Sequence, residues 1–180
     1  MIQDWQQGPR AIAGGRVHLR EVRVGDAEPL LRHLSAEEVC RYIPPPPATV
    51  EAFRAFITDS HRRRREGRGC TFAVVPAHED EAVGLIQLLA LDDGLEQWTW
   101  GCVLATRHWG TGAFTESADA ALDFLFGVAG AKAAEAWVLA EHRRALNALR
   151  KLERPAEERR VFGTAPDGRT AEFIVHTTRA

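Results

Sequence analysis

The chain has 180 residues, enough to bury one full hydrophobic core, and its apolar share of 45% excludes a disordered or fibrous protein. Its formal net charge is only −2, so the charge balance does not indicate a nucleic acid or an anionic membrane as a partner. We expect a single domain over residues 16–180, preceded by a loose lead-in at residues 1–15.

The cysteines and the short apolar runs indicate the compartment. Cys40, Cys70 and Cys102 are scattered without a C-x-x-C spacing, which argues against a disulfide framework. The first ten residues carry an acid and no apolar run, unlike a secretory signal, and the longest apolar stretch, residues 124–131, is too short to span a bilayer. The sequence therefore predicts a cytoplasmic protein, and it leaves open whether that protein forms a homodimer.

The first half of the chain predicts one strand and several helices. Residues 16–24 alternate apolar and polar side chains, as a half-buried strand does, and residues 49–66 have the spacing of an amphipathic helix. The prolines at 44–47 predict a rigid connector, with a peptide-recognition ligand as the alternative. Arginines 62–65 complement the dipole at the end of their helix. Nucleic-acid binding is the alternative there, although the rest of the chain is not basic.

The second half predicts strands that alternate with helices. Strand patterns cover 70–75, 82–91, 95–105 and 133–140, helical patterns cover 114–129 and 142–152, and a closing hairpin covers 159–164 and 171–178. The acidic turn at 78–81 holds three carboxylates and a histidine, so a metal site is the alternative to a plain hairpin turn. Together these elements predict an α/β fold with a twisted mixed sheet of six to seven strands and helices on both faces.

The segment Arg107-His-Trp-Gly-Thr-Gly-Ala113 joins a predicted strand to a predicted helix. Two glycines in G-x-G spacing let the backbone approach a ligand closely, and the free N–H groups of the following helix favour an anion such as a phosphate. A dinucleotide-binding loop would need a third glycine where Thr115 stands, and a nucleoside-triphosphate loop would need Gly-Lys-Ser/Thr. A tight turn without a ligand is the remaining alternative.

This segment and its surroundings resemble the GNAT acyltransferase superfamily over residues 16–178. Arg107-His-Trp-Gly110-Thr-Gly112 is similar to the family's R/Q-x-x-G-x-G/A cradle, and Gly101-Cys-Val-Leu104 is similar to the strand before it. Residues 82–88 and Thr115-Glu-Ser117 are similar to the family's third strand and to the opening of its central helix. The likeness is strongest to the branch that includes the ribosomal-protein N-terminal alanine acetyltransferases.

The resemblance implies a V-shaped cleft between the predicted fourth and fifth strands, acetyl-CoA as cosubstrate and no metal. A primary amine, of a protein N-terminus or a small molecule, would attack the thioester directly in a ternary complex. The strand would bind the pantetheine arm, the loop N–H groups would hold the pyrophosphate, and His142 replaces an asparagine that touches the cofactor. The residues that the resemblance assigns to the cofactor are Cys102, Val103, Leu104, Arg107, His108, Trp109, Gly110, Thr111, Gly112, Ala113 and His142.

The positions expected to move protons depart from the family. Thr99 stands where the branch often has a glutamate, which leaves Glu96 as the candidate catalytic base, with a solvated residue at a strand start as the alternative. Leu149 replaces a tyrosine that can reprotonate the leaving thiolate, and Ala145 lacks a serine hydroxyl. Glu116 is expected to stabilise its helix. These departures support a second hypothesis, a weakly active or inactive acyl-CoA-binding sensor or interaction module.

Overall fold

A computed structural model describes residues 4–180 of the chain. The strands are β1 (Ile12–Ala13), β2 (Val17–Glu21), β3 (Gly69–Pro76), β4 (Gly84–Ala90), β5 (Gln97–Leu104), β6 (Ala133–Leu139), β7 (Ala156–Thr164) and β8 (Thr170–Arg179). The α-helices are α1 (Ala27–Leu34), α2 (Glu37–Cys40), α3 (Val50–Arg65), α4 (Ala113–Phe124) and α5 (Arg143–Leu149). Short 3₁₀ turns lie at Asp4–Gln7, Val24–Asp26 and Thr106–His108, and a π-helical turn, Leu125–Ala129, extends α4.

The described residues form one mixed sheet of eight strands in the order β1-β2-β3-β4-β5-β6-β8-β7. β5 and β6 are parallel neighbours, and the other neighbouring strands are antiparallel. The predicted mixed sheet is confirmed, but its strand count exceeds the six to seven expected. The additional strand is β1, in which Ile12 pairs with Leu19 and Ala13 with His18. A two-residue strand is too short for alternation to reveal it.

Residues 4–13, part of the expected loose lead-in, are ordered against the domain. Trp5 is only 3% exposed, and its ring meets the rings of Trp98 and Phe124 edge-on, with centroids 6.2 and 5.9 Å apart. The polar and Gly-rich composition of this segment predicted a loose chain, whereas burial of one large aromatic side chain is enough to hold it. Residues 1–3 of the lead-in lie outside the described residues.

Two hydrophobic clusters cover opposite faces of the sheet because the central strands are buried on both sides. Phe72 and Val74 of β3 belong to the cluster beneath α4. Ala73 and Val75, which alternate with them, belong to the cluster covered by α1 and α3. Successive side chains of a strand point to opposite faces, so β3 supplies both cores, as its continuous apolar run requires. Helices on both faces are therefore confirmed.

β5 and β6 part towards their carboxyl ends. Their pairing covers only Gln97–Thr99 with Ala133–Glu135, and both strands continue beyond the last pair, through residues 100–104 and 136–139. On the outer sides β5 stays paired with β4 and β6 with β8. These are the predicted fourth and fifth strands, renumbered because β1 precedes them, and the V-shaped cleft expected between them is confirmed. None of the helices formed by residues 4–180 is long and apolar enough to cross a lipid bilayer.

Candidate active site

The cleft between β5 and β6 contains a cavity of about 130 Å³, here called the cleft cavity. Its walls come from the end of β5, the loop before α4 and the start of α5. The residues that line it are Val39, Ile43, Cys102, Val103, Leu104, Trp109, Gly110, Phe114, His142, Arg144, Ala145 and Ala148. Six of the predicted cofactor residues therefore meet at one cavity, and the other five, Arg107, His108, Thr111, Gly112 and Ala113, lie in the adjoining segment up to the first residue of α4.

The loop before α4 has the backbone shape that the G-x-G spacing predicts. Gly110 and Gly112 have φ angles of +74° and +90°, in the left-handed region that favours glycine. The N–H groups of Gly110, Thr111 and Gly112 donate to no other group in residues 4–180. They stand just before the first turn of α4, where N–H groups and the helix dipole favour an anion.

Three N–H groups that the resemblance assigned to the pyrophosphate are already used within the chain, and that of Ala113 donates to Thr111 Oγ1 at 3.3 Å. The N–H of His108 donates to Ala105 O at 3.0 Å, and the N–H of Trp109 donates to Thr106 O at 3.0 Å. These bonds form the 3₁₀ turn Thr106–His108, which the sequence analysis did not anticipate. The free backbone donors therefore begin at Gly110 rather than at His108.

Arg107 is engaged by its neighbours at the rim of the loop. Its Nε donates to His108 Nε2 at 2.9 Å, and its Nη2 lies 3.5 Å from Glu79 Oε2. Burial, and secondly the Arg107 charge, lower the pKa of His108 below its ordinary value of 6.5. His108 therefore adds no positive charge near neutral pH, and the charge of Arg107 is partly offset by Glu79.

A second arginine, which the sequence analysis did not single out, lies over the loop. The Arg144 guanidinium is 3.2 Å from the centroid of the Trp109 ring, in a cation–π contact. The indole N–H of Trp109 donates to Leu104 O at 2.9 Å, so the ring links the end of β5 to the start of α5. Arg144 makes no ion pair with a carboxylate of the described residues. The sequence signal that could have identified Arg144 is its position two residues after His142, at the start of a predicted helix.

His142, beside the cleft, has a buried nitrogen, Nε2, without a hydrogen-bond partner within residues 4–180. The imidazole stacks on Tyr42, and it lines the cleft cavity. Burial, followed by the nearby Arg144 charge, lowers the pKa of His142 below 6.5. A buried polar atom without a partner is costly, so this nitrogen is suited to a polar group of a ligand.

Cys102 is a neutral thiol on the wall of the cleft. Burial raises its pKa to about 12, so almost no thiolate forms near neutral pH. The other two thiols, Cys40 and Cys70, are likewise free of disulfides. Cys102 is thus a neutral strand residue at the cleft wall and provides no nucleophile there.

Glu96 lies at the other end of β5 from the cleft opening. Its carboxylate forms an ion pair with Lys132, and its carbonyl accepts hydrogen bonds from the N–H groups of Lys132 and Ala133, at 2.9 and 3.0 Å. At about 3.3 Å per residue, the strand places it roughly 16 Å from Gly101. The interpretation of Glu96 as the base therefore conflicts with its position, because closeness in sequence does not become closeness in an extended strand.

Glu116 has a structural role on α4. Its carboxylate accepts hydrogen bonds from the backbone N–H groups of Arg16, at 2.9 and 3.2 Å, and of Val17, at 3.3 Å. A Cβ at Gly14 would collide with the same carboxylate. Glu116 thus connects the start of β2 to the first turn of α4 by hydrogen bonds, and its negative charge there interacts favourably with the helix dipole.

The family's other proton-transfer positions contain no ionisable group. Leu149 is buried in the core, and Ala145 lines the cleft cavity. Thr99 donates its hydroxyl to Glu135 O at 3.1 Å. At the acidic turn, Glu79 contacts Arg107, and no cluster of residues in the described part of the chain is arranged to hold a metal ion.

Comparison with known proteins places this geometry among acetyltransferases. A model of the acetyltransferase (GNAT) domain matches residues 16–153. A protein named uncharacterized N-acetyltransferase p20, from Bacillus licheniformis, is 28% identical over 112 residues. That alignment covers 62% of this chain, and the chain spans 63% of the length of this curated relative.

Solved structures share the fold at low sequence identity. Mycobacterium smegmatis RimJ, in complex with CoA-disulfide, superposes with a TM-score of 0.83 at 20% identity, covering 100% of this chain and 90% of that one. The ribosomal-protein-S5-alanine acetyltransferase of Vibrio fischeri superposes with a TM-score of 0.82 at 13% identity, covering 95% and 97% of the two chains.

Proposed function

The chain belongs to the acetyltransferase (GNAT) domain family, and on that premise we propose that it transfers an acetyl group from acetyl-CoA to a primary amine. The observation that carries this proposal is the parting of β5 from β6 beside a left-handed glycine loop with free N–H groups. Whether this chain catalyses the transfer depends on the residues of its own site as well as on its family. The cleft would bind the thioester of acetyl-CoA, and the loop would bind the phosphates of its CoA moiety.

Acetyl-CoA is a substrate whose chemistry fits the unsatisfied groups of the site. The N–H groups of Gly110 to Gly112 would hold the pyrophosphate, and Arg144 would add a positive charge beside them. The backbone of Cys102 to Leu104, unpaired with β6, would bind the pantetheine arm. The buried Nε2 of His142 would meet a polar group of the same ligand.

Transfer would proceed by direct attack of the amine in a ternary complex. The Cys102 thiol, with its pKa raised to about 12 by burial, gives no thiolate to form an acyl-enzyme. A backbone N–H of β5 beyond its pairing with β6 would stabilise the oxyanion. With Leu149 buried in place of a tyrosine, water would carry the proton to the leaving sulfur.

The same proposal includes the domain bounds, the acceptor, the cofactor and the compartment. The catalytic unit is one domain over residues 16–180, and the acceptor is a protein N-terminus or a small-molecule amine. Acetyl-CoA is the only cofactor in the proposed reaction, which takes place without a metal. We place the protein in the cytoplasm, where free thiols such as those of Cys40 and Cys70 stay reduced.

A second candidate function is an acyl-CoA-binding sensor or interaction module. One observation favours it: no carboxylate of residues 4–180 lines the cleft cavity. Binding without turnover would need the loop and the cleft but no group that takes a proton from an amine.

Calorimetry with acetyl-CoA and a thiol-release assay with a panel of amines test both functions. We expect binding and amine-dependent release of CoA. Replacing Arg144 by Met should weaken acetyl-CoA binding by about 5-fold or more, whereas Arg54→Met on the exposed face of α3 should leave it unchanged. Binding without release on any amine would favour the sensor, and a folded protein that does not bind acetyl-CoA would refute both.

A further inference from the structure

A second and larger cavity adjoins the cleft on the face covered by α1 and α3. It measures about 600 Å³, and we call it the proline-walled cavity. It shares Ile43, Cys102 and Val103 with the cleft cavity, so the two meet across this wall. The residues that line it are Leu34, Ile43, Pro44, Pro45, Pro46, Pro47, Ala52, Phe53, Phe56, Leu85, Gln87, Gly101, Cys102 and Val103. A cavity of this volume suits a small molecule.

The lining of the proline-walled cavity carries no charge among residues 4–180. Gln87 contributes the amide group, and Cys102 is a neutral thiol because burial raises its pKa to about 12. The sequences of β4 and β5 contain no other ionisable side chain, and residues 43–48 contain none at all. The cavity is therefore an apolar site with one neutral polar group.

The charged groups on the surrounding elements are exposed or bound elsewhere. Arg32 and His33 of α1 contact Glu81, at 2.7 and 2.5 Å. On α3, Glu51 and Arg54 are exposed and do not line the cavity.

The carboxylate on β6 nearest in register to Thr99 is also engaged. Glu135 of β6 is the register partner of Thr99, the position where the branch often has a glutamate. Its carboxylate lies 3.1 Å from Arg159 Nη2 and accepts a 2.9 Å hydrogen bond from Trp137 Nε1. It does not line either cavity. Glu135 is thus bound on the β7 side of β6, away from a role as a base.

We propose, on the basis of the function proposed above, that the proline-walled cavity binds the acceptor, and that the acceptor is a small, weakly basic amine with an apolar body. An ammonium ion seated against the buried side chains of Leu34, Phe53 and Leu85 would lose part of its hydration without gaining a counter-charge, so this wall favours the neutral amine. An alkylamine of pKa about 10 is neutral in about one molecule per thousand at pH 7. An arylamine is already neutral at pH 7, so no carboxylate base is needed to deprotonate it before attack.

The reaction balances without an additional reagent. The lone pair of the neutral amine attacks the thioester carbonyl carbon, a C–N bond forms, and the C–S bond breaks. The proton that the nitrogen loses passes through water to the sulfur, which leaves as the CoA thiol.

Two isomeric amines test the proposal through their pH profiles. 4-Ethylaniline and 2-phenylethylamine have the same atoms but differ in basicity. We expect kcat/KM for 4-ethylaniline to stay flat between about pH 6 and pH 9, and log kcat/KM for 2-phenylethylamine to rise with a slope of about one. A plateau for 2-phenylethylamine near neutral pH would reveal a protein base and overturn the proposal. Turnover of spermidine, or of a peptide with an N-terminal alanine, in preference to both isomers would overturn it too.

Matched substitutions on α3 test the location. Ala52 and Ala55 are both exposed on the same helix, but only Ala52 lines the proline-walled cavity. Ala52→Trp should raise KM for 4-ethylaniline about 10-fold or more while the Kd of acetyl-CoA changes less than 2-fold, and Ala55→Trp should change neither. Equal effects of the two substitutions on KM would place the acceptor elsewhere.

The Glu135→Gln variant tests the absence of a base. It should keep the slope of about one for 2-phenylethylamine, even if its stability falls, because the slope depends on the amine alone. A plateau for 2-phenylethylamine in the parent protein that disappears in Glu135→Gln would identify Glu135 as the base and overturn the proposal.

Failure of this inference and failure of the proposed function give different results. A protein that binds acetyl-CoA and acetylates only cationic amines retains the proposed function and refutes the inference. A folded protein that does not bind acetyl-CoA refutes the proposed function, and the inference falls with it.

Discussion

The imidazole of His142 lies stacked on the ring of Tyr42, with the ring centroids 4.5 Å apart and the planes inclined by 25°. The stack joins the segment before the prolines to His142, the residue just before α5, and it holds the imidazole at the cleft cavity. Stacked rings contribute about 0.5–1.5 kcal/mol beyond their buried area, which corresponds to roughly 2- to 10-fold in an equilibrium constant. The orientation of His142 therefore depends on Tyr42.

We predict that Tyr42→Leu weakens acetyl-CoA binding by about 2- to 10-fold, because the imidazole loses the ring that orients its buried Nε2. Calorimetry measures the change. Tyr42→Phe is the control, since it keeps the ring and removes only the hydroxyl, and it should bind as the parent protein does. Equal losses in the two variants would attribute the effect to the hydroxyl instead of the stack.

The lowered pKa of His142 predicts a pH-dependent stability. Because burial depresses its pKa below 6.5, the unfolded chain binds a proton more readily than the folded chain does. The free energy of unfolding is therefore fully retained above about pH 6.5 and falls as the pH drops towards the folded pKa. Urea unfolding at pH values on either side of 6.5 measures this, and His142→Asn should reduce the pH dependence.

His108 has a lowered pKa as well, so it contributes with the same sign. His108→Asn should therefore remove a separate part of the pH dependence, and the double variant should remove both. A pH dependence that is identical in the parent protein and in His142→Asn would show that His142 titrates alike in the folded and unfolded chains.

Much of the fold could be predicted from the sequence because its signals are local. Alternation in β2 and apolar runs bounded by turn residues in later strands indicated the strands longer than two residues, and Gly110 and Gly112 indicated the loop. The parting of β5 from β6 came from family resemblance, since no local pattern shows where two strands separate.

The rest of the site depends on contacts between distant segments, which a single sequence does not encode in its periodicity. Arg144 meets Trp109, and Tyr42 meets His142, only after α5 has packed beside the loop. Glu96 lies apart from the cleft for the converse reason, because five residues of extended strand separate it from Gly101.

We predict that Gly110→Ala lowers both stability and acetyl-CoA affinity. With φ at +74°, a Cβ there costs about 1–2 kcal/mol even though no atom lies within 4 Å of it, and relief of that strain would reorient the free N–H groups. Chemical denaturation and calorimetry measure the two effects, and we expect affinity to fall about 10-fold.

Gly127→Ala is the matched control for this prediction. Gly127 has no positive φ and no atom within 4 Å of an added Cβ, so alanine there should leave affinity unchanged and stability equal or slightly higher. If Gly110→Ala binds acetyl-CoA as tightly as Gly127→Ala does, the conformation of the loop does not determine binding.

Glu96→Gln is predicted to change kcat by less than about 2-fold. The side chain is part of an exposed ion pair with Lys132 at the paired end of β5, where exposed pairs contribute about 0–1 kcal/mol to stability. Steady-state kinetics with the preferred amine measures kcat. A general base contributes about 100-fold or more, so a loss of that size would return Glu96 to the mechanism.

Arg154 stabilises the packing of the chain after α5 against α4. Its Nε donates to Asp119 Oδ1 at 2.8 Å and its Nη2 to Asp123 Oδ1 at 2.7 Å, with the side chain only 23% exposed. The partner carboxylates are more exposed, Asp119 at 38% and Asp123 at 73%, so these bonds should contribute about 1–2 kcal/mol, below the range for fully desolvated charge-assisted bonds. Arg154→Met should therefore lower Tm by roughly 2–8 °C in a chain of this length.

The control for Arg154 is another arginine that contacts two carboxylates but is exposed. Arg62 contacts Asp59 and Glu66 on α3, and its side chain is 52% exposed. Arg62→Met should cost less than about 1 kcal/mol, because water and salt screen an exposed pair. Differential scanning calorimetry of both variants at low and high salt measures the contrast, and equal Tm losses would show that burial does not strengthen the Arg154 pairs. Acetyl-CoA affinity should survive in both variants, since neither arginine lines the cleft cavity.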